Sequence, residues 1–243
     1  MLTLYGNGWS GPTYKVALML AMCDQPYDYR HVDLETRENR EPWYYAKSRY
    51  GQVPCLEDTT SGRTLVQSPI ILDYLAETFK RFRGQSDDER QQIHEWFFWE
   101  FDRLAPYIYR PRGCAKGYLK ASPEILTDFT RIGTRGLKVL DKHLDKRTWM
   151  VGAEPTIADI DIYGVIAFAR EAFFDLEVVP AVGAFMSRVE ALPGYAPYSE
   201  LIPNHSRAAK EVHRHLRSRM HPLRTKPIIN IETHFSADGE RPN

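Results

Sequence analysis

The fold of this chain is decided by residues 50–74, which read YGQVPCLEDTTSGRTLVQSPIILDY. The turn sequence Thr59-Thr60-Ser61-Gly62 separates two short extended segments, at 54–57 and 64–66, and so predicts a β-hairpin. Pro54 cannot donate a hydrogen bond to a sheet, and it is a candidate for a cis peptide bond with Val53. The extended backbone at Val53 offers an N–H and a C=O of the kind that bind peptide-like ligands.

A helix is predicted to follow the hairpin. Ser68 can act as its N-cap, and Pro69 suits the first helical position because it has no N–H. Apolar residues then recur at helical spacing, at Ile70, Ile71, Tyr74 and Leu75. Because a helix N-terminus attracts anions, the residues leave two interpretations open, a plain hairpin with a capped helix or a site for a peptide-like anion.

Composition limits the class of protein. The chain has 243 residues with 43% hydrophobic content, enough for one large domain or two small ones. Lys+Arg and Asp+Glu are both 32, so bulk charge does not indicate a nucleic-acid or membrane partner. The sequence has neither an apolar run of roughly 20 residues nor a signal-peptide start. Cys23, Cys55 and Cys114 form no CxxC pair, so we expect a reducing, cytoplasmic location.

The first half alternates between strand and helix patterns. Leu2–Tyr5 reads as a strand, an apolar helix follows the turn at 6–12, and Tyr27–Val32 reads as a second strand. This order predicts a βαβ unit with parallel strands. Residues 34–49 have poor periodicity and are expected to form a loop with a short helix. With the hairpin and its helix, the order through residue 80 is βαβαββα.

Ser10 lies in the turn between the first strand and the first helix. Its hydroxyl could donate a hydrogen bond to a thiolate and lower the pKa of that thiol. Alternatively, Ser10 or Thr13 only caps the helix, which is the commonest role of serine at such a position. No histidine or acid follows in a nucleophile motif, so a catalytic triad is not indicated.

Together, three motifs at this spacing make the first 80 residues resemble the thioredoxin-like domain of cytosolic glutathione transferases. They are Ser10-Gly11-Pro12, Gly51-Gln52-Val53-Pro54, and Gln67-Ser68 ahead of Ile70-Ile71-Leu72-Asp73-Tyr74-Leu75. The resemblance is to the bacterial, serine-type, theta-, delta- and beta-like classes. It implies an α/β plus all-α protein: a thioredoxin-like glutathione-binding domain at 1–80, an all-helical domain at 86–204 that lines the electrophile site, and an extension at 205–243.

The resemblance also implies a glutathione site. Ser10 would be the catalytic residue that donates a hydrogen bond to the glutathione sulfur, and Asn7 could compete with it. The implied glutathione-binding residues are Val53 and Pro54 for the cysteinyl unit, Gln67 and Ser68 for the γ-glutamyl carboxylate, and Gln52, Arg37 and Arg40 for the glycyl end. The usual Asn-Pro before this element is replaced by Ser48-Arg49-Tyr50.

The second half is predicted to be helical throughout. Ser86 and Glu89 form a capping-box signal for a long helix, whose aromatic-rich face is predicted to be buried at Ile93, Phe97 and Phe101. Pro106 is expected to end or kink that helix. Later helices are predicted to begin at Ser122-Pro123, at Thr156-Ile157-Ala158-Asp159 and before Val182.

Two groups of residues remain. The candidate residues for the second, electrophilic substrate are Trp9, Tyr107, Tyr109, Arg112 and Phe168. In the extension, HSRAAKEVHRHLRSRMH is a basic helical candidate and TKPIINIETHF could be an added strand or an arm. Its histidines have no firm ligand spacing, so no metal is predicted.

The expected function is that of a glutathione transferase. Glutathione would be the co-substrate, and its thiolate would attack a hydrophobic electrophile, for which an aromatic compound is expected, in a cytoplasmic, homodimeric detoxification enzyme. Ether cleavage, dehalogenation or peroxide reduction could use the same thiolate. The alternative is a non-catalytic binding or assembly protein on this fold, against which Ser10, Val53-Pro54 and Gln67-Ser68 argue. A thiol–disulfide reductase is disfavoured because the first turn has no cysteine.

Overall fold

The N-terminal half of the chain is built on a four-stranded sheet in the order β2-β1-β3-β4. The strands are β1 (Leu2–Gly6), β2 (Tyr27–His31), β3 (Cys55–Asp58) and β4 (Arg63–Val66). β1 pairs in parallel with β2 and antiparallel with β3, which pairs antiparallel with β4. The computed structural model, which describes residues 1–202, thus confirms the predicted βαβ unit and hairpin.

Three helices complete this half, namely α1 (Gly11–Met22), α2 (Pro42–Tyr45) and α3 (Ser68–Phe79). α1 packs against β1, α3 and a later helix at Ile157–Ile166. It is therefore covered on nearly all sides, which explains why its sequence is apolar with little periodicity. The charged side chain of Lys15 on this helix is also buried.

The remainder of the described chain is helical, as predicted. Its helices are α4 (Asp87–Arg103), α5 (Ala105–Ala115), α6 (Pro123–Leu144), α7 (Ile157–Ile166), α8 (Pro180–Glu190) and α9 (Tyr198–Leu201). No helix among residues 1–202 combines the length and the hydropathy of a transmembrane span. The helix and strand expected within 205–243 lie outside the described residues.

The local helix signals are confirmed. The Ser86 hydroxyl accepts a hydrogen bond from the Glu89 N–H at 3.1 Å and caps α4. Thr156 and Asp159 form a reciprocal capping box at the start of α7. α4 ends at Arg103 and Pro106 lies in the first turn of α5, so Pro106 marks a helix boundary.

One expectation about the core was wrong. Ile93 and Phe97 are buried, but Phe101 is 68% exposed. With 3.6 residues per turn, the position that continues the stripe of Ile93 and Phe97 is residue 100. Glu100 occupies it and is buried, and its Oε1 accepts a hydrogen bond from Lys15 of α1 at 3.0 Å.

Candidate active site

Three turns meet at the same end of the sheet. Antiparallel pairing aligns Tyr5 of β1 with Cys55 of β3, and Cys55 with Val66 of β4. The residues that follow β1, precede β3 and follow β4 must therefore lie side by side. This pairing brings the Ser10 turn, Val53-Pro54 and Gln67 to one end of the sheet.

Ser10 forms the junction between β1 and α1. Its Oγ accepts a hydrogen bond from the Thr13 N–H at 3.2 Å and caps α1. Its own N–H donates to the Asn7 carbonyl at 3.0 Å. A serine hydroxyl carries a proton as well as acceptor lone pairs. Capping therefore uses an acceptor and leaves the O–H donor of Ser10 for a ligand.

Asn7 has a structural role in the same turn. It is buried, and its Nδ2 donates to the Val32 carbonyl at 2.9 Å. Its Oδ1 accepts from the Trp9 N–H, also at 2.9 Å. Because both ends of the amide are engaged, Asn7 holds the ends of β1 and β2 and the Ser10 turn together.

The extended segment has the predicted backbone geometry. The peptide bond between Val53 and Pro54 is cis, and β3 begins directly afterwards at Cys55. Within residues 1–202, neither the N–H nor the C=O of Val53 makes a hydrogen bond. Both groups are therefore unpaired at the end of the sheet where Ser10 lies.

The segment before Val53 is held by residues that the motif reading missed. The buried Ser48 Oγ donates to the Gln52 carbonyl at 2.9 Å and accepts from the Gln52 N–H at 3.3 Å. The Tyr44 hydroxyl donates to the same carbonyl at 2.9 Å, and Asn39 Nδ2 donates to the Gly51 carbonyl. The only sequence signal for this arrangement was the departure at Ser48 from the family pattern.

The start of α3 differs slightly from the prediction. Gln67, with φ of 71°, is the N-cap residue, so Ser68 is the first helical residue and not the cap. No side chain among the described residues caps this helix. Gln67 Nε2 donates to Gln52 Oε1 at 3.2 Å, which places both glutamine side chains beside the first turn. The first N–H groups of a helix have no intrahelical partner, and here they adjoin these two amides.

The two candidate arginines lie differently. Arg40 Nη1 donates to the Tyr45 hydroxyl at 2.8 Å. A Cβ placed on Gly51 would lie 3.0 Å from that same nitrogen, so the Arg40 guanidinium is next to the Gly51-Gln52 segment. The side chain of Arg37 is exposed and makes no hydrogen bond or ion pair with the other residues of 1–202. Only Arg40 is brought to the site.

Of three further residues expected to line a pocket, Phe168 and Arg112 are buried in the protein interior and Tyr109 is half-buried against them. Phe168 is 1% exposed and contacts the rings of Tyr14, Tyr109 and Tyr198. The Tyr109 hydroxyl donates to the Gly164 carbonyl at 2.9 Å, and its ring fills the space left by Gly11. Arg112 is also 1% exposed, and its guanidinium carbon lies 3.9 Å from the centroid of the Phe168 ring. The sequence cannot separate a pocket from an interface of this mixed polarity.

An open aromatic surface lies next to the Ser10 turn. The half-buried Trp9 ring is 6.4 Å from the ring of Tyr118, which is 48% exposed. Lys116 Nζ lies 5.8 Å from the centroid of the Trp9 ring. Tyr107 is half-buried and packs on Phe129 away from these contacts. Of the residues predicted for the electrophile site, Trp9 is thus the one on this open surface. Tyr118 lies there too, although the sequence did not single it out.

Residues 1–202 contain no group of three His, Cys, Asp or Glu side chains arranged to hold a metal ion. Cys23 and Cys55 are buried, and burial raises the pKa of both thiols, that of Cys55 to about 12. A protein thiolate is therefore disfavoured at both positions.

Comparison with known proteins gives consistent matches. The family models for the glutathione S-transferase N-terminal and C-terminal domains match residues 1–77 and 129–193. Maleylacetoacetate isomerase of Rhizobium meliloti (strain 1021) is 37% identical over 205 residues, covering 79% of this chain and 92% of that protein. The disulfide-bond oxidoreductase YfcG of Escherichia coli (strain K12) is 26% identical over 186 residues, with 74% and 86% covered.

Solved structures agree with these relatives. A glutathione S-transferase from Pseudomonas fluorescens [Pf-5] has a TM-score of 0.76 at 31% identity, covering 81% of this chain and 98% of that one. Ure2p in complex with glutathione has the same fold, with a TM-score of 0.73 at 18% identity, covering 82% and 92%. The chain belongs to the glutathione transferase family of enzymes.

Proposed function

We propose that the protein binds glutathione where the three turns meet and activates its thiol for attack on a hydrophobic electrophile. The observation that carries this proposal is the register that aligns the Ser10 turn, Val53 and Gln67 at one edge of the sheet. Glutathione is an extended peptide with a carboxylate at each end and a thiol near its middle. The site offers a complementary group for each of these features.

Each part of glutathione has a candidate partner. The unpaired N–H and C=O of Val53 can bond the cysteinyl unit in the manner of an added strand. The γ-glutamyl carboxylate suits the first turn of α3, with Gln67 and Ser68, because the helix N-terminus is positive there. The glycyl carboxylate suits Gln52 and Arg40. Arg37 reaches this end only if its exposed side chain turns toward it.

Ser10 is the proposed catalytic residue. A hydrogen bond to a charged group contributes about 1.5–3 kcal/mol. At about 1.4 kcal/mol per pKa unit, one O–H donor would lower a thiol pKa by roughly 1–2 units from about 8.5. That shift brings a substantial fraction of thiolate at neutral pH without any basic side chain.

The second substrate is proposed to bind against Trp9 and Tyr118. These rings border the Ser10 turn and are partly open, which favours an aromatic electrophile. The thiolate attacks the electrophilic atom, a bond forms from sulfur to that atom, and the leaving group departs with its electron pair. Thioether formation, ether cleavage, dehalogenation, isomerisation and peroxide reduction can all begin from this thiolate.

A second candidate reaction is reduction of a disulfide by bound glutathione. Relatives named disulfide-bond oxidoreductases, YfcG and YghU, support it at 26% and 34% identity. The absence of a cysteine from the first turn argues only against a protein thiol as nucleophile. A glutathione thiolate held by Ser10 would instead attack one sulfur of the substrate disulfide, which forms a mixed disulfide and releases the other sulfur as a thiolate; a second glutathione would then free the remaining substrate thiol and leave as oxidised glutathione.

A homodimer is the proposed assembly. Ile70 of α3 and Phe98 and Phe101 of α4 are 57%, 79% and 68% exposed. His94 Nε2 of α4 lies 3.6 Å from Asp73 Oδ1 of α3, which connects the same two helices. A second copy that covers this apolar surface would remove it from water. We also propose a cytoplasmic detoxification role and a division into domains near residues 80–86.

The first experiment is calorimetric titration with reduced glutathione and with S-hexylglutathione. Saturable binding of both, tighter for the hexyl derivative, is the expected result, because the hexyl chain adds apolar area. Turnover is then compared between 1-chloro-2,4-dinitrobenzene and 2-hydroxyethyl disulfide, which separates the two candidate reactions. Absence of binding by either ligand would overturn the proposal, and binding without turnover would favour the non-catalytic alternative.

A further inference from the structure

We propose that Arg112, held by Glu171, is a positioning residue that fixes the Ser10 turn from the helical half of the protein. This inference rests on the proposed role of Ser10 as the donor to the glutathione sulfur. Arg112 was expected at the electrophile site, but its buried contacts assign it a different function. It would act through the backbone beside Ser10, without touching either substrate.

The contact to the turn is direct. Arg112 Nη1 donates to the Trp9 carbonyl at 2.6 Å. That carbonyl belongs to the same planar peptide unit as the Ser10 N–H, which donates to the Asn7 carbonyl at 3.0 Å. Both polar groups of this peptide unit are therefore bonded, one of them to a cation, and its plane is fixed. That plane sets the position of the Ser10 Cα, and the hydrogen bond from the Thr13 N–H to the Ser10 Oγ, at 3.2 Å, then orients the side chain.

Arg112 is itself held on several sides. Its Nε donates to Glu171 Oε2 at 2.8 Å, and Phe168 stacks against the guanidinium. The Tyr198 hydroxyl donates to the other oxygen of Glu171, at 3.2 Å. Burying a guanidinium is unfavourable unless it is paired and hydrogen-bonded. The flat fork of arginine presents donors to a carboxylate and a carbonyl from separate nitrogens in fixed directions, whereas the donors of a lysine all radiate from one nitrogen.

The charges of this cluster act in the same direction as its geometry. Lys116 Nζ also lies 3.1 Å from Glu171. Although burial alone would raise it, the pKa of Glu171 is held below its ordinary value by Arg112 and Lys116, so the carboxylate stays ionised. Burial raises the pKa of Tyr118 and Tyr198, which stay neutral. Arg112 and Lys116 against Glu171 leave an excess positive charge beside the turn, which favours a thiolate.

The test uses Arg112→Met, which removes the charge and the donors but keeps an unbranched apolar stem. The readouts are the pH profile of kcat/KM with 1-chloro-2,4-dinitrobenzene and the ultraviolet absorbance of the thiolate in the glutathione complex. We expect kcat/KM to fall by about 10-fold below neutral pH, as the thiol pKa rises by about one unit, with a much smaller change in glutathione Kd. A purely structural role would leave the thiol pKa unchanged.

The matched control is Arg188→Met. Arg188 is a half-buried arginine in α8 whose Nε donates to another backbone carbonyl, that of Thr148, at 3.1 Å. It should leave the thiol pKa unchanged. Arg112→Lys is the second test variant. It keeps the charge but lacks the planar fork that bonds Trp9 and Glu171. The thiol pKa of glutathione bound to this variant should lie between the values for wild type and Arg112→Met. If Arg112→Met does not fold, Arg112→Lys decides alone, and an unchanged profile overturns the inference.

Ser10→Ala is measured in parallel to separate this inference from the proposed function. If Ser10→Ala changes neither the thiol pKa nor turnover, the role of Ser10 itself fails. If Ser10→Ala raises the pKa but the Arg112 variants match wild type, only the positioning role fails. A shift in Arg112→Met without one in Ser10→Ala also overturns positioning through Ser10.

Discussion

Lys15 Nζ lies 2.8 Å from Asp161 Oδ1, and neither side chain reaches solvent. Lys15 is also 3.0 Å from Glu100 Oε1, so one ammonium on α1 contacts two carboxyl groups, one on α4 and one on α7. Burial alone would lower the pKa of Lys15, but Asp161 and Glu100 raise it. Burial, together with the charge of Asp161, raises the pKa of Glu100 to about 8 although Lys15 opposes it. Glu100 therefore keeps its proton near neutral pH.

This proton predicts a pH-dependent stability. The pKa of Glu100 is higher in the folded protein than its ordinary value of 4.5. Its contribution to the free energy of unfolding is therefore complete below about pH 4.5 and is lost as the pH rises through about 8. Glu100→Gln keeps the shape of the protonated acid and cannot ionise. The Tm of this variant should fall less than that of wild type between about pH 6 and about pH 9.

The control for this prediction is Glu95→Gln, on the exposed face of the same helix. Its Tm should follow the wild-type curve across the same range. If the curves of Glu100→Gln and wild type stay parallel, Glu100 is not the group that titrates.

Gly164 of α7 makes room for Lys15. A Cβ placed there would lie 2.3 Å from the Lys15 Cγ, and the ammonium at the other end of that side chain is fixed by Glu100 and Asp161. Gly164→Ala should therefore destabilise the protein by about 1–3 kcal/mol. Gly183→Ala in α8 is the matched control, because nothing lies within 4 Å of its Cβ. It should stabilise by about 0.5–1 kcal/mol. Chemical denaturation measures the free energy of unfolding of both variants. An equal gain in stability for both would exclude close packing between Gly164 and Lys15.

What the sequence predicted was carried by neighbours a few residues apart. The Ser86 and Thr156 caps, the hairpin at 59–62 and the boundary at Pro106 each depend on a local rule. The sheet register then brings three of the motif residues, Ser10, Val53 and Gln67, to one end of the sheet. The order of the elements needed nothing from distant parts of the chain.

What the sequence did not predict depends on distant partners. Phe101 was predicted to be buried because an aromatic residue is a better core candidate than the neighbouring Glu100. Burial of Glu100 becomes favourable only through the positive charge of Lys15, which is 85 residues away in the chain. Arg112 was predicted to line a pocket because it follows several tyrosines. Its partner Glu171 lies 59 residues later, so the sequence does not reveal the pairing that buries it. Ser48 is the exception: its partner Gln52 is only 4 residues later, but no sequence pattern marks this contact.

The exposed rings of Phe98 and Phe101 predict the dimer surface. The protein should sediment as a dimer at micromolar concentration. Replacing both phenylalanines by serine should give a monomer, since burial of each ring contributes about 1.5–3 kcal/mol. Val139→Ser, at a position 47% exposed on α6, is the control and should stay dimeric. If the wild-type protein is a monomer, the proposed dimer is wrong. If the double variant remains a dimer, the surface around Phe98 and Phe101 is not the dimer interface.

Ser10→Ala is expected to separate chemistry from binding. Loss of the donor to the thiolate should lower kcat/KM at neutral pH by about 10- to 100-fold, the equivalent of about 1.5–3 kcal/mol, with little change in glutathione Kd. The substitution also removes the α1 cap, at about 1 kcal/mol of stability. Ser86→Ala removes a comparable cap from α4, whose hydroxyl accepts from Glu89 at 3.1 Å, and should leave turnover unchanged. An equal loss of binding and turnover in Ser10→Ala would contradict the donor role, because a cap alone does not distinguish glutathione from its thiolate.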